Sequence, residues 1–175
     1  MNKCVFLDRD GVLNRERGTY TYTIADFEIP TGVIEALQEL KQAGYLLVVI
    51  TNQGGIAKGL YTKEDVKACH QYLQQQCGYL LDDLFYSPYH PQYSESLSRK
   101  PESFMLEKAV AKYVIDRERS WMIGDSARDI EAAKKIQVNT VQVIAENKPI
   151  SALADFTAKD LYAAVRLILS QNQTV

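Results

Sequence analysis

Five short apolar runs, "CVFLD", "YLLVVIT", "DLFYSP", "WMIGD" and "VNTVQVI", are separated by longer stretches whose apolar residues recur every three or four positions. The runs have the length and the β-branched and aromatic content of strands, and the stretches between them have the period of amphipathic helices. Between the first two runs, "TGVIEALQELKQAG" puts Val33, Leu37 and Leu40 on one stripe, with Gly44 placed to end the helix in a left-handed conformation. The next helix opens at "YTKED", where Thr62 is a natural N-cap and Glu64 and Asp65 bring negative charge to the first turn. Val66, Cys69 and Leu73 form its inner stripe.

A third helix is expected in "KPESFMLEKAVAKYV", starting near Pro101, because a first turn has no donor for proline to remove. "SARDIEAAKKI" is the fourth, directly after "WMIGD". In the last, "TAKDLYAAVRLILSQ", Leu161, Val165 and Ile168 share a face. Strands alternating with helices predict an α/β fold, a Rossmann-like three-layer sandwich with a mostly parallel central sheet. Two stretches, residues 14–32 and 87–101, carry neither period. No repeat, low-complexity tract or linker interrupts the pattern, so residues 1–175 are expected to form one domain without a large cap.

Bulk properties narrow the function classes. The 175 residues are 46% hydrophobic and 24% charged, ordinary values for a globular protein. A net charge of -2 offers no basic stripe for nucleic acid, so none is expected as a partner. "YLLVVI", the longest aliphatic run, is far shorter than the ~20 residues of a membrane span, and "MNKCVFLDRD" meets acid too early for a secretory signal. The expectation is a cytoplasmic monomer that does not engage a membrane. Cys4, Cys69 and Cys77 lack metal-type spacing and are expected to be reduced and buried.

In a parallel α/β sheet, ligands bind beyond the carboxyl ends of the strands, next to a switch in strand order. Those ends are polar here. The first strand delivers Asp8 and Asp10, the second Thr51, Asn52 and Gln53, and the fourth Asp125, with Asp129 one turn later; Arg99 and Lys100 precede the third helix. Residues two apart on an extended chain face the same side, so Asp8 and Asp10 can converge on one ion or one substrate atom, while Gly11 lets the backbone turn behind them. Taken alone, D-x-D is more often a capped turn, "TNQGG" a strand-to-loop turn and a lone Lys a solvated one. Asp125 changes this, since carboxylates gathered at neighbouring strand ends repel one another unless a cation sits among them. A hard ion with oxygen ligands, Mg²⁺, suits the set; zinc does not, with no Cys or His near. Phosphoryl transfer asks for these groups: a nucleophile, charge neutralisation and a proton for the leaving oxygen. Asp8 and Asp10 can fill the roles of nucleophile and proton carrier in either order.

"FLDRDGVLN", "VVITNQ", "RKP" and "MIGDSARD", in this order over residues 6–129, resemble the four motifs of the haloacid-dehalogenase-like hydrolases. The resemblance implies Asp8 as nucleophile, Asp10 as general acid and base, and Thr51 and Lys100 as stabilisers of the transferring group. It also implies Mg²⁺ held by the Asp8 side chain, the Asp10 backbone carbonyl and Asp125. Within the superfamily the chain resembles the capless subgroup of heptose-bisphosphate and histidinol-phosphate phosphatases, which implies a small phosphorylated sugar as substrate, with histidinol phosphate as the alternative. By position, substrate contacts fall to Glu16, Arg17, Gly18, Thr19, Thr51, Asn52, Gln53, Gly54, Arg99, Lys100 and Ser126.

The chain departs from that subgroup in two places. Ser87, Tyr89, Ser96 and Ser98 stand where a structural zinc loop is common, and His90 alone cannot supply four ligands, so no structural zinc is expected. That loop should instead be held by Tyr89, Pro88 and Pro91. Ser126 replaces a residue that is often basic. A phospho-accepting receiver or binding module would also use a strand-end Asp with Mg²⁺ and a Lys, but Asp10 favours turnover over a long-lived phosphate. Residues 14–32, long and next to the nucleophile, are read as a lid.

Overall fold

The computed structural model describes residues 1–171. Six strands, β1 (Cys4–Leu7), β2 (Leu46–Asn52), β3 (Asp83–Ser87), β4 (Trp121–Gly124), β5 (Asn139–Val143) and β6 (Phe156–Ala158), form one sheet in the order β3-β2-β1-β4-β5-β6. Every neighbouring pair runs parallel. The chain builds outward from β1 to β3, returns to the centre at β4, and then builds outward the other way. The switch in strand order therefore lies between β1 and β4.

Five helices cover the two faces: α1 (Val33–Gln42), α2 (Lys63–Gln76), α3 (Phe104–Tyr113), α4 (Ala127–Lys135) and α5 (Leu161–Gln171). Because successive strand residues face opposite sides, β1 is split between two cores. Val5 and Leu7 pack with α1, α2 and α5, whereas Cys4 and Phe6 pack with α3 and α4. Strands buried on both faces need continuous apolar runs, which is what the sequence shows.

The expected stripes are the buried ones: Val33, Leu37 and Leu40 on α1, Val66, Cys69 and Leu73 on α2, and Leu161, Val165 and Ile168 on α5. Gly44, at φ +80°, ends α1 in a Schellman arrangement, its N–H donating to Lys41 O and that of Tyr45 to Leu40 O. Thr62 caps α2 through a reciprocal box with Asp65. All three cysteines are buried and unpaired. Among the described residues, no helix is long and apolar enough to cross a membrane.

Three local expectations need correction. Pro101 does not open α3: it follows a cis bond in a turn closed by the Glu102 N–H and Arg99 O, and the helix begins at Phe104. β6 was not expected. It is three residues long and is set beside β5 by Asp155, whose carboxylate accepts from Thr140 N and Oγ1 at 2.8 and 2.9 Å. In the 87–101 loop, although the Tyr89 carbonyl accepts from Arg99 Nη1 at 2.8 Å, the Tyr89 ring is 43% exposed and does not staple the chain. The hydroxyls of Ser87, Ser96 and Ser98 do so, Ser98 Oγ lying 3.1 and 2.9 Å from the other two.

Candidate active site

The site sits where the sheet's two halves diverge. β1 ends at Leu7, and the next residue, Asp8, is tied to β4 by its N–H donating to Ile123 O at 2.9 Å. The chain then closes a tight loop, with the N–H groups of Val12, Leu13 and Asn14 all directed at Arg9 O. Gly11 is required twice over. Its φ is +87°, and a Cβ there would lie 1.9 Å from Asp125 Oδ2.

Lys100 is the centre of charge. It is 1% exposed, and its ammonium lies 2.9 Å from Asp8 Oδ1, 2.6 Å from Asp129 Oδ1 and 2.7 Å from Ile50 O. Burial works against that charge, but Asp129 and Asp8 outweigh it and raise the Lys100 pKa. The side-chain amide of Asn52 fastens the Lys100 backbone from both sides, donating to its carbonyl and accepting from its N–H at 3.0 Å each. Asp129, at the start of α4, also accepts from Ser126 N and Oγ at 3.0 and 2.7 Å. Burial opposes its charge, and Lys100 overcomes this to hold it below the usual carboxylate range.

At Asp8 the same compensation falls short. Burial, Asp129 and Asp125 push its pKa up to about 7 against the pull of Lys100. Carboxylate oxygens of Asp8, Asp125 and Asp129 lie within 4.8 Å of one another, and Asp125 Oδ1 is buried with no hydrogen-bond partner. A hard divalent cation answers both the repulsion and the orphaned oxygen, so these residues fit Mg²⁺. With Asp129 already committed to Lys100 and Ser126, Asp8 and Asp125 are the side chains available to hold it.

Asp10 points elsewhere. Its carboxylate accepts from Arg9 Nη2 at 2.9 Å, Asn14 Nδ2 at 3.0 Å and Gln53 Nε2 at 3.2 Å. Gln53 Nε2 also reaches Thr51 Oγ1 at 2.9 Å, and Tyr61 OH donates to Gln53 Oε1 at 2.8 Å. Arg9, 1% exposed, donates from the same Nη2 to Thr21 O at 2.6 Å. Tyr22 stacks on Tyr61 with ring centroids 5.1 Å apart, and Tyr20 meets it edge-on. The 14–32 segment thus lies against the Asp10 side of the site.

The HAD-hydrolase-like family model matches residues 97–164. The D-glycero-beta-D-manno-heptose-1,7-bisphosphate 7-phosphatase of Photorhabdus laumondii is 39% identical over 163 residues, covering 88% of this chain and 86% of that protein. The phosphatase of the same name from Haemophilus influenzae is 34% identical, covering 96% and 97%. The chain belongs to the haloacid-dehalogenase-like phosphatases. The structure of D,D-heptose 1,7-bisphosphate phosphatase from B. bronchiseptica, complexed with magnesium and phosphate, superposes with a TM-score of 0.88 at 26% identity, covering 97% of this chain and 99% of that one.

In this phosphatase, the expected residues separate into a tight group and a rim. Asp8 pairs with Lys100 and lies within 4.8 Å of Asp125, and Gln53 joins Asp10 to Thr51 in a second set beside them. Arg99 Nη1 donates to Tyr89 O at 2.8 Å and lies against Gly54, on the 87–101 loop side. Arg17 pairs with Asp26 at 2.8 Å, and Glu16 Oε1 accepts from the N–H groups of Arg17 and Gly18. Thr19 and Gly18 are exposed, and Ser126 is half-buried at the α4 start.

Sequence reasoning passed over three side chains. Arg9 grips Asp10, and a basic residue between two acids at a strand end was the available signal. Tyr61 was hidden in what looked like a helix approach. Lys148, in the loop after β5, lies 2.5 Å from Asp125 Oδ2. The end of that strand was the place to look.

Proposed function

We propose that the chain is a Mg²⁺-dependent phosphatase, a cytoplasmic single-domain monomer that removes the 7-phosphate of D-glycero-D-manno-heptose 1,7-bisphosphate and leaves heptose 1-phosphate. The substrate rests on the names of the relatives. The chemistry rests on one observation: the Lys100 ammonium is fixed between Asp8 and Asp129, and the third carboxylate of that cluster, Asp125, has an oxygen with no donor.

In this reading an Asp8 carboxylate oxygen attacks the phosphorus and the bond to the sugar oxygen breaks, while Asp10 gives that oxygen its proton. Water then attacks the aspartyl phosphate, Asp10 takes the proton, the bond between phosphorus and the Asp8 oxygen breaks, and inorganic phosphate leaves. Mg²⁺, held by the Asp8 and Asp125 side chains and the Asp10 carbonyl, supplies charge that neutralises the phosphoryl oxygens. Arg9, Asn14 and Gln53 hold Asp10 in place. The Thr51 hydroxyl faces the transferring group, and Lys100 fixes the nucleophile's orientation. Glu16 to Thr19, Asn52 to Gly54, Arg99 and Ser126 form the substrate rim.

A phosphate-release screen tests the reading, using both heptose bisphosphate anomers, the monophosphates and histidinol phosphate, with Mg²⁺ or with chelator. The highest kcat/KM is expected for a heptose bisphosphate, with 7-phosphate release seen by NMR and no turnover in chelator. Preference for histidinol phosphate would replace the substrate. A single turnover without recycling would replace the enzyme by a phospho-accepting module.

A further inference from the structure

Lys148 reaches the acidic cluster from the connection between β5 and β6, and the proposed reaction gives it no part. Its Nζ lies 2.5 Å from Asp125 Oδ2 and 3.3 Å from Glu16 Oε2. The connection is anchored just beyond it: Gln142, 1% exposed on β5, donates Nε2 to Pro149 O at 2.9 Å and accepts from Ser151 N at 2.8 Å. Glu16 is anchored too, through the Arg17 and Gly18 N–H groups at 2.9 Å each. On the Asp125 side, Oδ2 presses so close to Gly11 that no Cβ fits there, and Oδ1 is buried without a partner.

We infer that Lys148 is a positioning residue for the cation: it holds Asp125 by Oδ2 so that Oδ1 stays free for the ion, and through Glu16 it ties the 14–32 segment to the same carboxylate. The inference rests on reading the acidic cluster as a divalent-cation site and is independent of the sugar. Two features separate it from a surface ion pair. The ammonium engages one Asp125 oxygen and leaves the other, and it joins two elements 109 residues apart in sequence, Glu16 and Asp125. Partners that orient a metal-binding group from behind typically change affinity about 10- to 100-fold when removed. An ammonium that merely stood in for the ion would do the opposite, because its removal would relieve competition.

The test is calorimetric titration of the full chain with Mg²⁺ alone. Lys148→Met is expected to weaken binding about 10- to 100-fold, while Lys148→Arg keeps most of the affinity. Binding by Lys148→Met as tight as the parent's, or tighter, would overturn the inference, as would a parent that takes up no Mg²⁺. A parent that binds Mg²⁺ but leaves heptose bisphosphate intact would sink only the substrate reading. Glu16→Gln, at an exposed position, tests the tie without touching the cluster and covers the case in which Lys148→Met does not fold. In Mg²⁺, trypsin is expected to cut after Arg15 and Arg17 faster in this variant than in the parent; equal rates would refute the link.

Discussion

At Asp10, side chains from four places in the sequence meet: Arg9 beside it, Asn14 from the following turn, Gln53 from beyond β2 and, through Gln53, Tyr61. Each hydrogen bond is modest alone, but an unmade one in a buried site is expensive. Tyr61→Phe keeps the ring stack with Tyr22 and leaves Gln53 Oε1 without its donor. It is expected to lower stability by about 1–3 kcal/mol in urea unfolding, and to lower kcat more than it raises KM because Gln53 loses its orientation. Asp8→Asn removes the proposed nucleophile and keeps the shape. A loss on the order of 10⁴-fold in kcat is expected in a phosphate-release assay, and near-normal turnover would refute the proposed chemistry. The hydrophobic pattern put Asp8, Asp10 and Asp125 at strand ends, whereas Lys100, in the loop before α3, was singled out by the R-K-P motif alone. The contacts of Arg9 were not legible, because a period-two argument assigns a Cβ direction and says nothing about where a long guanidinium side chain folds back.

At the scale of elements, the helices were legible in proportion to how much of their definition is local. The α2 cap is written in four consecutive residues, and Thr62→Ala is expected to cost about 1 kcal/mol, read as a shift in the denaturation midpoint. Leu37, fully buried between α1 and the sheet, is a core position. Leu37→Ala is expected to cost about 2–5 kcal/mol, measured the same way. The start of α3 was misplaced because proline suits a helix's first turn and a tight turn equally well, and the sequence alone does not choose between them. β6 escaped notice for a related reason. "FTA" has too few residues for a period, and its register comes from Asp155 bonding to Thr140 on the neighbouring strand.

For the whole molecule, the switch in strand order brings Asp8 and Asp125 together, and the cost of doing so is pH-dependent. Without a cation, burial, Asp129 and Asp125 raise Asp8 to about 7, well above the ~3.9 of an unfolded Asp. A raised folded pKa means that the contribution is fully present below pH 4 and is lost as pH rises through 7. In chelator, the advantage of Asp8→Asn over the parent should therefore begin to open above about pH 4 and be wider at pH 8 than at pH 5. A constant gap across that range, measured by thermal unfolding, would show that the acidic cluster is not under this strain. Mg²⁺ should raise the parent's Tm more at pH 8 than at pH 5, since only the ionised carboxylate offers the ion its full charge.

The sequence by itself determined the fold class, the buried stripes of α1, α2 and α5, and the family, because alternating periods and motifs at strand ends are local properties. Tertiary structure decided which charges neutralise one another. That Lys100 serves both Asp8 and Asp129, that Arg9 turns back onto Asp10, and that Lys148 joins Asp125 to Glu16 depend on side chains brought within 4 Å by a six-stranded topology. Electrostatic partnership falls off with distance in space, and separation along the chain does not report that distance.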